Sequence, residues 1–260
     1  MNDVAMLTVD AGVGEIVLNR PDKLNALDEA GARVVRDRLT EAAAADVRAL
    51  VLRGEGRGFC AGRDLSTAQP LDEDGEAILR DHFNPLFAEL AAFPAPTFAA
   101  VHGAALGVGL GLALACDVTY VADDARIGSP FARIGAVLDS GAHHFLVARI
   151  GAHRTLELVY TGRLLSGAEA AAWGIVNRAL PAAELVDAVR AMATAVAAGP
   201  TQAFLASKRI VARISNGDAP TLHAVLAAEA AAQGAASQTS DYREGMTAFQ
   251  TKRSPSFTGR

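Results

Sequence analysis

Pro96–Tyr120, PTFAAVHGAALGVGLGLALACDVTY, sets glycine-rich backbone between a short apolar run and a continuous apolar segment. Thr97–Val101 predicts a buried strand. Gly103, Gly107, Gly109 and Gly111 then let the chain turn and approach a neighbour closely. Val108–Ala115 is apolar on every side, which predicts a buried helix. A helix beginning at a glycine turn presents unpaired N–H groups and the positive end of its dipole, a setting suited to an anionic or polarised oxygen. The same turn can serve close packing alone, and both readings stand on this stretch by itself. GVGLG lacks the lysine of a G-x-x-x-x-G-K-[ST] phosphate loop.

Upstream, Met6–Asp10 and Gly14–Leu18 are short apolar runs joined by a turn, the pattern of a hairpin. Asn19–Leu27 reads as an ordered loop, and Asp28 as the cap of a helix running to about Ala44. Val47–Arg53 follows as a strand. Strand, helix, strand predicts a parallel pair with a right-handed crossover. Gly58–Leu65, GFCAGRDL, is a second glycine-bearing turn that leaves a strand, and it is expected to face the first. Ser66–Gly75 is polar without a period and reads as a mobile loop, with Asp72, Glu73 and Asp74 as a solvated face. Glu76–Phe93 predicts a helix ended by Pro94 and Pro96.

Downstream, Ala125–Gly128 reads as a short strand. Asp139, in LDSG, stands between an apolar stretch and a helix start and reads as an N-cap, a functional carboxylate, or both. His143 and His144 head a helix to Ile150 and read as surface or core-edge residues, with no metal assigned to them. Thr155–Tyr160, Ser166–Ala172, Leu185–Ala198, Thr201–Ser215, Thr221–Gln233 and Asp241–Lys252 are further helical stretches, so the second half is nearly all helix. No internal repeat is evident.

With 260 residues, 51% of them hydrophobic and 20% charged, the chain can bury one large core. No run predicts a membrane span, and the N-terminus has no signal-like pattern; a cytoplasmic protein is expected. Cys60 and Cys116 have no partner at metal-ligand spacing and read as small core residues. A net charge of −5 argues against nucleic acid as a partner.

LNRPDKLNALD, GRGFCAGRDL, VHGAALGVGLGLALACDV and YREGMTAFQTKRSPSFTGR together resemble the crotonase, or enoyl-CoA hydratase/isomerase, superfamily over nearly the whole chain. FNPL (Phe83–Leu86), LDSG (Leu138–Gly141) and DYREG…KRSP look most like its phenylacetate-pathway epoxide isomerase branch. The resemblance implies an α/β fold, the ClpP/crotonase-like arrangement of repeated β-β-α turns, with the core in residues 1–195 and a C-terminal helical trimerisation region in 196–260. It implies an acyl-CoA thioester substrate, coenzyme A being part of that substrate and no separate cofactor being needed, and homotrimers or dimers of trimers.

By position, the N–H groups of Arg63 and Val108 match the family's oxyanion hole. Lys23, Leu24, Ala61, Asp64 and Leu65 match CoA-holding positions, and Phe249 and Lys252 match the pair that reaches a neighbouring subunit's CoA. Gly111 and Phe131 stand where a hydratase has its two catalytic glutamates. The isomerase branch, and also a dehalogenase branch, carries a carboxylate at Asp139, but the dehalogenase histidine is matched by Asn84. Phe131, Leu138, Asn84 and Gly111 are thereby expected at the acyl pocket, where Leu138 replaces the usual proline. Val108, His102 and His143 also depart from common residues. The expected activity is isomerisation through a thioester enolate, with Asp139 as acid/base; a hydratase with displaced residues and a non-catalytic or RNA-associated protein are the alternatives.

Overall fold

The computed structural model describes residues 3–67, 73–218 and 221–260. Six strands form the main sheet: β1 (Ala5–Asp10), β2 (Val13–Leu18), β3 (Ala49–Gly54), β4 (Thr97–Val101), β6 (Val118–Ala122) and β9 (Arg178–Leu180), adjacent in that order. β1 and β2 pair antiparallel as the expected hairpin, and every later pair is parallel. Parallel strands are covered on both faces and therefore read as continuous apolar runs; β4 is buried at all five residues. A second sheet joins β5 (Ala104–Leu106), β7 (Arg126–Gly128) and β8 (Leu165–Ser166). β4 thus leads to β5 and β6 to β7, the two sheets rising together in β-β-α turns.

The helices are α1 (Glu29–Ala44), α2 (Gly75–Ile78), α3 (Asn84–Ala91), α4 (Val108–Ala115), α5 (Ala142–Thr161), α6 (Gly167–Ala172), α7 (Ala182–Ala197), α8 (Thr201–Ser215), α9 (Leu222–Ala236) and α10 (Ser240–Gln250). Asp28 caps α1 as expected, accepting the Gly31 N–H at 2.7 Å. α7 packs on β3, β4 and β6, and the helical region beyond it begins at Thr201 after Gly199-Pro200.

Several local expectations change. The helix over Glu76–Phe93 is α2 and α3 joined by a π-helical stretch, Leu79–Phe83. α5 is two helical segments joined at a kink: the first ends at Ile150, as expected, before Gly151, whose φ 74° and ψ 171° are non-helical, and the second runs on to Thr161. Half of the loop expected over Ser66–Gly75, residues 68–72 with Asp72 among them, lies outside the described residues, and Ser66 and Thr67 belong to a short 3-10 helix, Leu65–Thr67. Glu73 and Asp74 are no free solvated face: Glu73 pairs with Arg63 at 3.0 Å, and Asp74 caps α2 through the Ala77 N–H.

Among the described residues, no helix is long and apolar enough to cross a membrane.

Candidate active site

The two glycine turns meet, as expected. Cys60 bridges to Ala105 of β5, its N–H donating to Ala104 O at 2.9 Å and its carbonyl accepting from Leu106 N at 3.0 Å. Glycine at position 109 is what lets them close: a Cβ there would lie 2.0 Å from the Cys60 carbonyl oxygen. Burial pushes the Cys60 thiol up to about 12, so this cysteine is packing and no nucleophile.

The Gly58–Leu65 turn also pairs with the Asn19–Leu27 loop. The Leu27 N–H donates to Gly62 O at 3.0 Å and the Asp64 N–H to Leu27 O at 2.8 Å. In such a parallel bridge the residue between those two contacts has its own N–H turned the other way; here that residue is Arg63. A Cβ on Gly62 would be 3.0 Å from Leu106 O and 4.0 Å from Val108 N, so the Arg63 turn lies beside the start of α4. Val108 is the first residue of α4, whose cap Gly107 (φ 50°) supplies no side-chain bond. The first N–H groups of a helix have no partner within it. Two backbone donors, reinforced by a helix dipole, therefore stand at one place in a buried setting, an arrangement able to hold an oxyanion.

Asp139 is half-buried and near enough to the Arg63 side chain to feel its charge. Burial raises its pKa above the ordinary carboxylate value, while the Ser140 hydroxyl and the charges of Arg63 and His143 act in the opposite sense. The Ser140 Oγ donates to Asp139 Oδ1 at 2.7 Å. The capping alternative fails: α5 starts at Ala142, its cap position is Gly141 in the left-handed region, and no side chain caps it. Asp139 contributes only its main-chain carbonyl, which accepts the Ala142 N–H at 3.0 Å. Its carboxylate instead accepts the Ser140 hydroxyl.

Gly111 leaves no room for a side chain: a Cβ would be 2.5 Å from Ser140 Cβ and 2.8 Å from the Phe87 ring. Phe131 lies on the α4 cap, 3.2 Å from where a Gly107 Cβ would be. Phe131 and Leu138 line an apolar pocket of roughly 440 Å³, its mouth included, together with Leu110, Leu146 and Leu158. Gly111 adjoins Asp139's neighbour without lining that pocket, and Asn84 is exposed on α3, away from its wall.

The CoA positions fall into two groups. Lys23, Leu24, Ala61, Asp64 and Leu65 come together at the turn's outer edge: Lys23 Nζ reaches Asp64 Oδ2 at 2.9 Å, and the Ala61 N–H donates to Leu24 O at 2.9 Å. Hydrogen bonds from Ser66 and Lys23, with Arg20 alongside at 3.0 Å, hold the Asp64 carboxyl well below its usual range. Leu65 is 57% exposed. Phe249 lies in the last turn of α10 and Lys252 just past its end; Phe249 is 83% exposed. His143 and His144 are exposed at the start of α5.

Three residues escaped the sequence reading. Asn25, 1% exposed, ties the Asn19–Leu27 loop to the Gly58–Leu65 turn by donating to Glu55 O at 2.9 Å and Gly58 O at 2.7 Å. Glu29 and Glu73 grip the Arg63 guanidinium at 2.8 and 3.0 Å. An asparagine followed by a turn is the only signal for the first, and nothing local marks the others.

The sequence profile of the enoyl-CoA hydratase/isomerase family matches residues 8–260. The chain belongs to this family. Among its relatives, a Rhodobacter capsulatus protein named as a probable enoyl-CoA hydratase is 39% identical, the match covering 97% of this chain and 96% of that one. The 1,2-epoxyphenylacetyl-CoA isomerase of Escherichia coli is 34% identical over the full length of both. The crystal structure of the enoyl-CoA hydratase of Bacillus anthracis superposes with a TM-score of 0.90 at 30% identity, covering 99% of this chain and all of that one. The α/β fold is that of the family, and an acyl-CoA thioester is the substrate class consistent with membership.

Proposed function

We propose that this family member is an acyl-CoA isomerase that works through a thioester enolate, with Asp139 as its single acid/base. The observation that carries the reading is the half-buried, non-capping Asp139 within reach of the Arg63 charge, where Gly111 and Phe131 supply no second carboxylate. Removing a proton from an enoyl thioester puts charge on the carbonyl oxygen, and two fixed N–H donors stabilise it without reorganisation. One carboxylate can take a proton from the γ-carbon and return it at the α-carbon. Hydration needs water activated as well as a proton delivered, and the Phe131 ring keeps the cap of α4 apolar.

The reaction is then a 3-enoyl to 2-enoyl shift or the isomerisation of a ring-epoxide phenylacetyl-CoA. Homotrimers or dimers of trimers, with Phe249 and Lys252 touching a neighbour's CoA, belong to the same proposal. The test is paired on one enzyme stock: gain of enoyl absorbance on isomerising a 3-enoyl-CoA, and its loss on hydrating crotonyl-CoA. Isomerisation is expected to be faster by at least ~10²-fold, the scale of one general acid/base group; comparable or faster hydration overturns the reading in favour of a hydratase.

A further inference from the structure

Ser140 holds a backbone conformation that its side chain disfavours. Its φ is 60°, in the left-handed region, and Gly141 after it is there too at φ 72°. Glycine takes that conformation without steric conflict, whereas a residue with a Cβ is strained by it. Such strain persists where the surroundings over-determine it, and it gathers at functional sites. Here Ser140 is 2% exposed and wedged against α4: its Cβ and its carbonyl oxygen lie 2.5 and 2.6 Å from where a Gly111 Cβ would be.

A serine in place of a second glycine adds only a methylene and a hydroxyl. The hydroxyl does not cap α5, which has no side-chain cap. It donates to Asp139 Oδ1 at 2.7 Å, while Oδ2 accepts no hydrogen bond among the described residues. The two carboxylate oxygens are thereby unequal: one is tied to a buried anchor whose backbone is fixed against α4, and the other is not.

We infer that Ser140 is a positioning residue: its hydroxyl fixes the Asp139 carboxylate through Oδ1, so that Oδ2 is the oxygen that takes the proton from the acyl thioester and returns it. The inference rests on the reading of Asp139 as the acid/base. In the first step the C–H electron pair stays in the enolate and the proton forms an Oδ2–H bond; in the second that bond breaks, a C–H bond forms and Asp139 is again a carboxylate. Oδ1 can accept the Ser140 hydroxyl in both states, and the bond to the anion is the stronger. Losing the hydroxyl therefore frees the carboxylate to turn and raises its hold on a proton, since this bond opposes the effect of burial. The other charges that reach Asp139 are those of His143 and of Arg63, itself paired with Glu29 and Glu73, and the test leaves all four in place.

Ser140→Ala removes the hydroxyl and keeps the Cβ against α4; Ser140→Gly removes both and relieves the backbone, so the test does not hang on one variant folding. Each is assayed on whichever acyl-CoA reaction the wild type performs, for kcat and for the pH profile of kcat/KM, and titrated with hexanoyl-CoA by calorimetry. Expected are a kcat lower by about tenfold or more, as for a misplaced catalytic group, and a kcat/KM midpoint moved to higher pH. Hexanoyl-CoA affinity is expected to stay within about threefold, because the change touches chemistry and not ground-state binding. In an Asp139→Asn background, removing the hydroxyl is expected to change the residual kcat by less than about twofold, since the two residues act as one unit. A purely structural serine would alter the melting temperature and leave the midpoint where it was. An unmoved midpoint with kcat within about threefold of wild type, or a full further loss in the Asp139→Asn background, overturns the inference and leaves Asp139 as the acid/base. If Asp139→Asn alone retains wild-type turnover, the acid/base reading itself falls, and this inference with it.

Discussion

Gly109→Ala separates catalysis from ligand binding at the contact that holds the two turns together. The added methyl would sit 2.0 Å from the Cys60 carbonyl oxygen, and real Cβ contacts essentially never come under 3.0 Å, so the turns must part by about 1 Å. Both partners are main chain, which cannot swing aside as a flexible side chain would. An oxyanion donor works at ~2.7–3.1 Å. Moving one by about 1 Å removes most of its contribution, an effect worth ~10²–10³ in kcat for a lost donor and ~10² for misplacement alone.

Overpacking also costs about 1–3 kcal/mol, a Tm loss of several degrees for a chain of this size. The Lys23–Asp64 cluster lies on the outer edge and is largely spared, so CoA affinity is expected to change by less than about threefold. Gly234→Ala is the control: it meets nothing within 4 Å in α9, and an alanine in a helix interior raises stability by ~0.5–1 kcal/mol. The assay combines initial rates of 3-enoyl-CoA isomerisation, CoA calorimetry and a thermal melt. A folded Gly109→Ala enzyme with kcat within about tenfold of wild type refutes the argument that these turns set the oxyanion donors.

Two further outcomes follow from charge. Because Asp139 must be ionised to act as a base and burial lifts its pKa, kcat/KM is expected to rise through a midpoint above the ordinary 3.8; a midpoint at or below 3.8 speaks against Asp139 as the base. The same shift has a sign for stability. A raised folded-state pKa favours the fold while the group is protonated, and that contribution is lost as pH climbs from 3.8 through the folded value. Asp139→Asn, neutral throughout, is therefore expected to melt at or above the wild-type temperature at pH 7, with the difference vanishing in acid. Lys252→Ala is expected to weaken CoA binding less at high salt than at low, as an exposed phosphate contact would; affinity unchanged at both salt levels removes Lys252 from the CoA site.

The central β-turn-α unit was legible because two periodicities meet there: β4 and α4 have the ends that the apolar run and the glycine turn predict. α8 is equally clear, bounded by Gly199-Pro200. The small second sheet is not, since Ala104–Leu106 inside a turn is too short to show a strand pattern, and its pairing with Arg126–Gly128 is set by tertiary packing. The capping alternative for Asp139 failed because Ser140 and Gly141 both take positive φ and delay the helix. Glu73 pairs with a residue ten positions away in sequence through a fold that local composition does not encode.

The direct test of the account is Asp139→Asn, measured for turnover of a 3-enoyl-CoA and for affinity toward a saturated acyl-CoA in the same preparation. Asparagine keeps the shape and can still accept the Ser140 hydroxyl through its Oδ1, but it cannot take a proton at neutral pH. The account predicts affinity within about threefold of wild type and kcat lower by at least ~10². A variant that binds the ligand and retains its turnover would contradict it.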